Sequence, residues 1–401
     1  MNTDNSKSPI LSKNVSSFNG LEPLLRFRSF SDFWHKNFLE DLGIFMGGGT
    51  PSKSEEKYWN GSIPWISSSD MTEDSVTKIN ISRYINHDAI DNSATKLCPK
   101  NTIHIVSRVG VGKVAISHIQ LCTSQDFTNF ISNDLNNRLF LTYYLSVIMK
   151  KKSQQTQGTS IKGITSEEIK KLRIFLPSLP EQKKIAEFLF LVDERIEQQR
   201  KLVEALKRYK RGLLFDVFNK KIQFKNPNGV NFPKWESTTV SDVLNYEQPQ
   251  KYIVASENYN DNYKTPVLTA NKAFILGYTN ENNGIYSKGE AIIYDDFTMD
   301  MKFATFNFKV KSSTIKILTC KESNDLYFMY NLLLSLNLKP QGHQRSYISI
   351  LEPTKILVPC YEEQKLISNL LRKIDSNLER QTVYLDILEN YKKGLLQQMF
   401  I

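Results

Sequence analysis

Residues 177–218 read PSLPEQKKIAEFLFLVDERIEQQRKLVEALKRYKRGLLFDVF, and residues 359–400 read PCYEEQKLISNLLRKIDSNLERQTVYLDILENYKKGLLQQMF. A constant shift of 182 residues, without a gap, lays one stretch on the other. Under it Glu181-Gln182-Lys183 meets Glu363-Gln364-Lys365, Asp193 meets Asp375, Tyr209-Lys210 meets Tyr391-Lys392, and Phe218 meets Phe400. The chain therefore carries an internal repeat. Within each copy apolar residues recur at alternating steps of four and three, from Ile185, Leu189, Val192 and Ile196 onward and from Ile367, Leu371, Ile374 and Leu378 onward. A seam of period 3.5 held over more than four heptads predicts coiled-coil helices. The long crossing segment, residues 219–356, permits the two helices to pair antiparallel. The seam is interrupted in the same two slots of each copy, by Gln199 and Lys210 and by Gln381 and Lys392. With the seams flush, Gln199 faces Leu385 and Gln381 faces Val203. A buried polar residue costs stability but penalises wrong registers, so this glutamine pair is the expected register device. About 38 residues at ~1.5 Å each make a spacer of roughly 57 Å.

The 401 residues carry a formal charge of +10, with pI near 9.1, which favours an anionic partner. No apolar run approaches the ~18 residues needed to span a bilayer, and the polar start Met1–Asn19 lacks the apolar core of a signal peptide. The spacer helices mix acids with bases, unlike a membrane-surface helix, so nucleic acid is the expected partner and the cytoplasm the expected location. Cys98, Cys122, Cys320 and Cys360 are widely separated and suggest neither a zinc site nor a disulfide framework.

In chain order, residues 1–20 read as a disordered leader, 21–176 as a first globular domain and 177–220 as the first spacer helix. A second domain spans 221–356 and a second helix 357–401. Trp34 in LRFRSFSDFWHKNFLEDL (25–42) is echoed by Trp235 in NFPKWESTTVSDVL (231–244), so the repeat includes the domains. In the first domain MGGGTP (46–51) reads as a loop. Asn101–Ile119 reads as two strands joined tightly around Gly110 and Gly112, and Leu139–Lys152 and Ser166–Lys171 as helices. In the second, Ala291–Tyr294, Phe303–Val310 and Thr314–Leu318 read as strands and Asp325–Leu336 as a helix. The fold class expected is mixed α/β (α+β): two globular domains alternating with two long helices that pair as an antiparallel coiled coil.

Enzyme readings fail on spacing. GVGK (110–113) has Ser107 where a phosphate loop needs its first glycine and Val114 where it needs Ser/Thr. No G-x-G-x-x-G opens a helix after a strand, and no Asn/Asp-Pro-Pro-aromatic tetrapeptide occurs. His35, His87, His104, His118 and His343 lack metal-ligand spacing, so neither a metal nor a catalytic site is expected. Asp295-Asp296 is either half of a nuclease carboxylate cluster or a solvated turn, the latter being the commoner use of paired loop acids. Recognition chemistry remains. Side chains that read base edges are Arg, Lys, Asn, Gln, Ser and Thr, and phosphates take Lys, Arg and backbone amides. The loop residues of those types are Arg108, Lys113, Gln125, Thr159, Ser160 and Lys162 in the first domain. In the second they are Lys302, Gln341, His343, Gln344, Arg345, Ser346 and Tyr347. Arg108 and Arg345 lead these DNA-binding candidates. Two other classes stay in view: a protein-assembly scaffold indifferent to DNA sequence, and a nuclease or methyltransferase with a degenerate site.

LPSLPEQKKIAEFL (176–189), its echo VPCYEEQKLISNLL (358–371), the tandem domain–helix layout and GGGTPSKSEEKYWNGSIPWISSSDM (47–71) together resemble the specificity subunit of type I restriction–modification enzymes. The resemblance covers the chain after residue 20. It implies two target-recognition domains reading the halves of a bipartite, asymmetric DNA sequence, with the paired helices setting the gap. It further implies no catalysis in this chain, two methyltransferase (modification) subunits and motor–nuclease (restriction) subunits as partners. S-adenosylmethionine, ATP and Mg would then belong to those partners. Cys360-Tyr361-Glu362 departs from Ser178-Leu179-Pro180 at the start of the second helix.

Overall fold

The computed structural model describes residues 11–13, 22–156, 163–270, 273–340 and 345–401. It divides into two compact units, Met1–Arg200 with Val383–Ile401, and Lys201–Thr382. The first contains strands β1 (Leu11–Lys13), β2 (Leu25–Phe27), β3 (His35–Phe38), β4 (Gly43–Gly47), β5 (Ile63–Ile66) and β6 (Arg83–Ile85). After the short helix α1 (His87–Asp91) come β7 (Leu97–Cys98), β8 (Ile103–Val106), β9 (Val114–Ile116), β10 (Leu121–Thr123) and β11 (Phe127–Ser132). Helices α2 (Arg138–Thr156) and α3 (Ser166–Lys170) then lead through β12 (Arg173–Leu176) into the long helix α4 (Leu179–Phe218). The main sheet has the order β4-β11-β8-β9, antiparallel throughout. A second sheet, β6-β5-β10-β7, contains one parallel pair, β5 with β10. β12 pairs with β3 beside the helix start.

The second unit repeats this topology. Its elements are β13 (Glu236–Thr239), α5 (Val240–Val243), β14 (Leu244–Glu247), β15 (Thr265–Leu268), β16 (Ile275–Thr279), β17 (Ala291–Asp295), β18 (Met301–Ala304), β19 (Lys309–Val310) and β20 (Ile315–Cys320). Helix α6 (Leu326–Ser335), β21 (Lys355–Val358) and the long helix α7 (Tyr361–Gln398) follow. The main sheet is β14-β20-β17-β18, the second β16-β15-β19 with β15 and β19 parallel, and β21 pairs with β13. Element by element, β8 corresponds to β17, β9 to β18, β11 to β20 and α2 to α6.

Three local expectations needed revision. Phe303–Val310 is not one strand: β18 ends at Ala304 in the main sheet, and β19 at Lys309–Val310 belongs to the other. The alternation of apolar residues continues across Phe306 and Phe308 and so conceals the change of sheet. In the leader, Leu11–Lys13 is not disordered but pairs antiparallel with β2, and the tail of β4 takes Met46 and Gly47 out of the expected loop. The second long helix starts at Tyr361, the position equivalent to Leu179, so the changed sequence there does not shift it.

The repeated polar residues of the long helices have defined partners. Gln182 accepts from the Asn137 N–H at 2.9 Å and donates to Pro177 O at 3.0 Å. Gln364 accepts from the Asp325 N–H at 2.8 Å and donates to Pro359 O at 2.9 Å. Each glutamine thus satisfies a backbone donor that the start of the domain helix leaves unpaired, and so ties α2 to α4 and α6 to α7. The seam lysines pair with the repeated aspartates: Lys392 with Asp193 in the first unit and Lys210 with Asp375 in the second, both at 2.6 Å. Tyr143 donates to Asp193 at 2.8 Å, and Tyr327 donates to Asp375. Each unit therefore contains a Tyr–Asp–Lys triad joining its domain helix to two antiparallel helix segments. Glu181 is bound by Arg26 at 2.7 and 2.8 Å, both side chains buried. Its equivalent Glu363 is also buried, with one carboxylate oxygen unpartnered, and burial raises its pKa. Gln199 is 4% exposed and Gln381 half-buried. Among the described residues no helix is long and apolar enough to cross a membrane, and no group of three His, Cys, Asp or Glu could hold a metal. Cys98 and Cys122 are buried free thiols, both pushed up to about 12 by desolvation.

Candidate nucleic-acid interface

The β8–β9 hairpin of the first unit ends in Ser107–Lys113. Gly110 (φ 84°) and Gly112 (φ 114°) adopt left-handed backbone that L side chains rarely occupy, which is why SRVGVGK can turn here. The backbone is fixed on two sides. Ser107 N and Arg108 N donate to Asp126 O at 2.8 and 3.3 Å, and Ile164 N donates to Ser107 O at 2.7 Å. Gly163 lies so close that a Cβ there would meet Ser107 O at 2.7 Å and the Arg108 Cα at 3.1 Å. Gly163 and Ile164 are thereby pressed onto the Arg108 turn. Arg108 itself is exposed.

Gln125, also exposed, sits in the adjoining turn and accepts from the Thr50 hydroxyl. Lys113 is half-buried and donates to Ser68 O at 2.9 Å, so it braces the hairpin against the Ser67–Asp70 turn. Arg83 completes that turn, bonded to Ser67 and Asp70 and stacked 4.6 Å over Trp65. Arg108 and Gln125 are thus brought together on one loop cluster. Thr159, Ser160 and Lys162 lie outside the described residues. Beneath the hairpin, His104 is fully buried, with Asn129 Oδ1 2.7 Å from Nδ1 and Ser117 Oγ 2.9 Å from Nε2. Desolvation lowers its pKa to about 4, against the opposing Asn129 hydrogen bond, so it is a neutral strut of the sheet.

In the second unit the equivalent β17–β18 turn spans residues 296–300. Ser346 N donates to Asp296 O at 2.8 Å, the counterpart of the Ile164–Ser107 bond. The acids here are neither a solvated turn nor a catalytic cluster. Asp296 accepts from Tyr347 N at 2.8 Å and pairs with Lys316 at 3.4 Å, both partners of that pair 2% exposed. Lys316 also donates to Gln248 at 2.9 Å. Asp295 accepts from Phe297 N, Thr298 N and the Thr314 hydroxyl. Ser346 and Tyr347 face inward: the Ser346 hydroxyl bonds Asp296 O and Tyr294 at 2.6 Å each, and Tyr347 packs on Tyr246 and Tyr294. Burial raises the Tyr347 pKa. The Ser346 hydroxyl is spent on the domain itself and the Tyr347 ring is buried, whereas Arg345 is exposed. Lys302 is half-buried within β18, opposite Ile293. Gln341, His343 and Gln344 lie outside the described residues.

The two tips share a backbone and differ in side chains. Arg108 on the hairpin of the first unit has Phe297 as its counterpart, and Gly163 on the returning loop has Arg345. Sequence reading did not single out Phe297, because it selected candidates by polarity, and it missed the Asp296–Lys316 anchor. The 182-residue shift, carried upstream of the helices, still sets Ile164 on Ser346, but it sets Asp296 on Val114 and Phe297 on Ala115 instead of on Ser107 and Arg108, so it reaches the returning loops and not the hairpin tips.

A protein-family model described as the type I restriction modification DNA specificity domain matches residues 32–208 and again 233–388. The chain is 28% identical over 412 residues to the type I restriction enzyme MjaIX specificity subunit of Methanocaldococcus jannaschii, covering 91% of this chain and 92% of that one. It is 36% identical over 180 residues to the EcoR124I/EcoR124II specificity subunit of Escherichia coli, a match spanning 39% of this chain and 44% of that protein. Among solved structures, the S subunit of the type I restriction–modification system of M. genitalium superimposes with a TM-score of 0.64 at 17% identity, covering 95% of this chain and 99% of that one.

Proposed function

From the premise that the chain belongs to the type I restriction–modification DNA specificity family, a non-catalytic DNA-recognition component, we propose that it reads a bipartite, asymmetric DNA target, one half-site per domain. The observation that carries this is the pair of tips: one topology used twice, with Arg108 and Gly163 on one and Phe297 and Arg345 on the other. Equal scaffolds with unequal readers favour two different half-sites. The paired long helices set the gap, and half-sites about one turn (~34–36 Å) apart present the same face of the duplex. Two methyltransferase subunits and the motor–nuclease subunits are the partners this reading assigns, with S-adenosylmethionine, ATP and Mg bound by them. An adenine-methylation map of the source strain, with and without this gene, tests it. Loss of a single gapped motif on deletion is the expected result; an unchanged map overturns it.

A further inference from the structure

We propose that Phe297 is a specificity-determining residue of the second domain, reading the 5-methyl edge of a thymine by apolar contact. The proposal deepens the DNA-reading function above and rests on it. Phe297 occupies the place of Arg108: it follows the residue whose carbonyl receives the returning loop, Ser107 in one unit and Asp296 in the other. Phe297 is 37% exposed at a hairpin tip and belongs to none of the domain's buried apolar clusters.

The turn that carries Phe297 has a fixed backbone. Asp295 Oδ1 accepts the N–H groups of Phe297 and Thr298 at 2.9 Å each, and Met299 N donates to Asp295 O at 2.9 Å. Met299 is held at φ 59°, a left-handed conformation that costs a non-glycine residue free energy. Behind the tip, Asp296 is locked by Lys316, Ser346 and Tyr347. A buried ion pair, a carboxylate-capped turn and a strained residue thus combine to present an apolar side chain to solvent. Phenylalanine offers no hydrogen-bond donor or acceptor. The apolar group that a base edge displays in the major groove is the thymine methyl, whereas Arg108 at the equivalent position suits guanine. Arg345, on the loop bonded to the same turn, supplies the neighbouring charged contact.

The test is selection from a randomised duplex pool by the full chain, wild type and Phe297→Ala, followed by binding to duplexes in which deoxyuridine replaces thymine. Loss of the methyl leaves base pairing and hydrogen-bonding groups unchanged. The expected result is a thymine preference at one position of one half-site, falling on the order of five- to tenfold in Phe297→Ala, with the other half-site unaltered. Deoxyuridine at that position should weaken wild type by a similar factor and leave Phe297→Ala indifferent. Phe297→Leu, which keeps an apolar contact, should retain the preference, and an unchanged melting temperature should exclude misfolding. Preferences unchanged at every position in Phe297→Ala, or deoxyuridine without effect on wild type, overturn the proposal. A wild-type selection without a two-part motif removes the proposed function itself, and this inference with it.

Discussion

Replacing Asp193 by asparagine removes the charge shared by Lys392 and the Tyr143 hydroxyl while keeping the side-chain shape. The pair is 2.6 Å apart, with side chains 12% and 14% exposed. Breaking one partner of a fully buried pair costs about 3–5 kcal/mol. The residual exposure here brings the loss to about 2 kcal/mol, since solvent takes part of the stranded charge. The Tyr143 hydrogen bond at 2.8 Å weakens from charge-assisted to neutral, which adds about 1 kcal/mol. Asp193→Asn should therefore destabilise by about 3 kcal/mol in urea titration. A double-mutant cycle with Lys392→Met should give a coupling of about 1–2 kcal/mol. The second triad offers an internal control: Lys210 and Asp375 are 21% and 25% exposed, so the same cycle there should return a smaller coupling. A coupling below about 0.3 kcal/mol at Asp193–Lys392 would mark an ordinary surface pair and refute the reasoning. So would a larger coupling in the more exposed triad.

Stability should fall on acidification through His104. Its folded pKa, about 4, lies below the ordinary 6.5, so its contribution is present above about pH 6.5 and is lost as pH falls toward 4, by up to roughly 3 kcal/mol. Carboxylates titrate in the same window, so the quantity to measure is the difference in urea midpoint between wild type and His104→Gln at pH 7.5 and 4.5. That difference should shrink at the lower pH. Arg345→Ala should relax specificity at a base of one half-site by about 1–3 kcal/mol in competitive binding, whereas a uniform loss across sequences would make it a phosphate contact. Inserting four residues at equivalent points in both long helices should lengthen the gap in the methylated motif and leave both half-sites as they were.

The long helices were legible because a period of 3.5 repeated at a fixed shift is a redundant signal, and their polar interruptions were legible as positions. What those interruptions do was not. Lys210 and Lys392 read as breaks in a seam, yet each closes an ion pair with an aspartate that periodicity alone leaves unremarked. The two-strand reading of Asn101–Ile119 succeeded because β-branched runs flank two glycines whose φ is positive. Phe303–Val310 failed because alternation reports burial and says nothing of which sheet buries it. At the tips, residue type stood in for exposure. That held for Arg108, Gln125 and Arg345 but not for the buried Tyr347, nor for Ser346 and Asp296, whose side chains satisfy the backbone of a turn the sequence could not fold by itself. Loops that must be rigid consume polar side chains internally, and composition cannot separate those from the ones left to face a ligand.

Under the proposed function, that division of labour bears on how one scaffold carries two readers. In both tips the structural hydrogen bonds end on backbone atoms or on buried residues: Asp126 O and Ser107 O in one, Asp296 and Ser346 in the other. Neither Arg108, Phe297 nor Arg345 contributes its side chain to the anchors described. Exchanging an exposed side chain with no structural partner typically changes stability by less than about 0.5 kcal/mol, whereas exchanging an anchor such as Asp296 strands a buried lysine. Gly163 is the exception, since any larger residue would collide with the Ser107 carbonyl. The first tip can vary freely at Arg108 but not at Gly163; the second can vary at both Phe297 and Arg345. Under the proposed function, specificity can then change at those positions without a compensating change in the fold, and the constraint on each half-site follows from how closely its two loops approach.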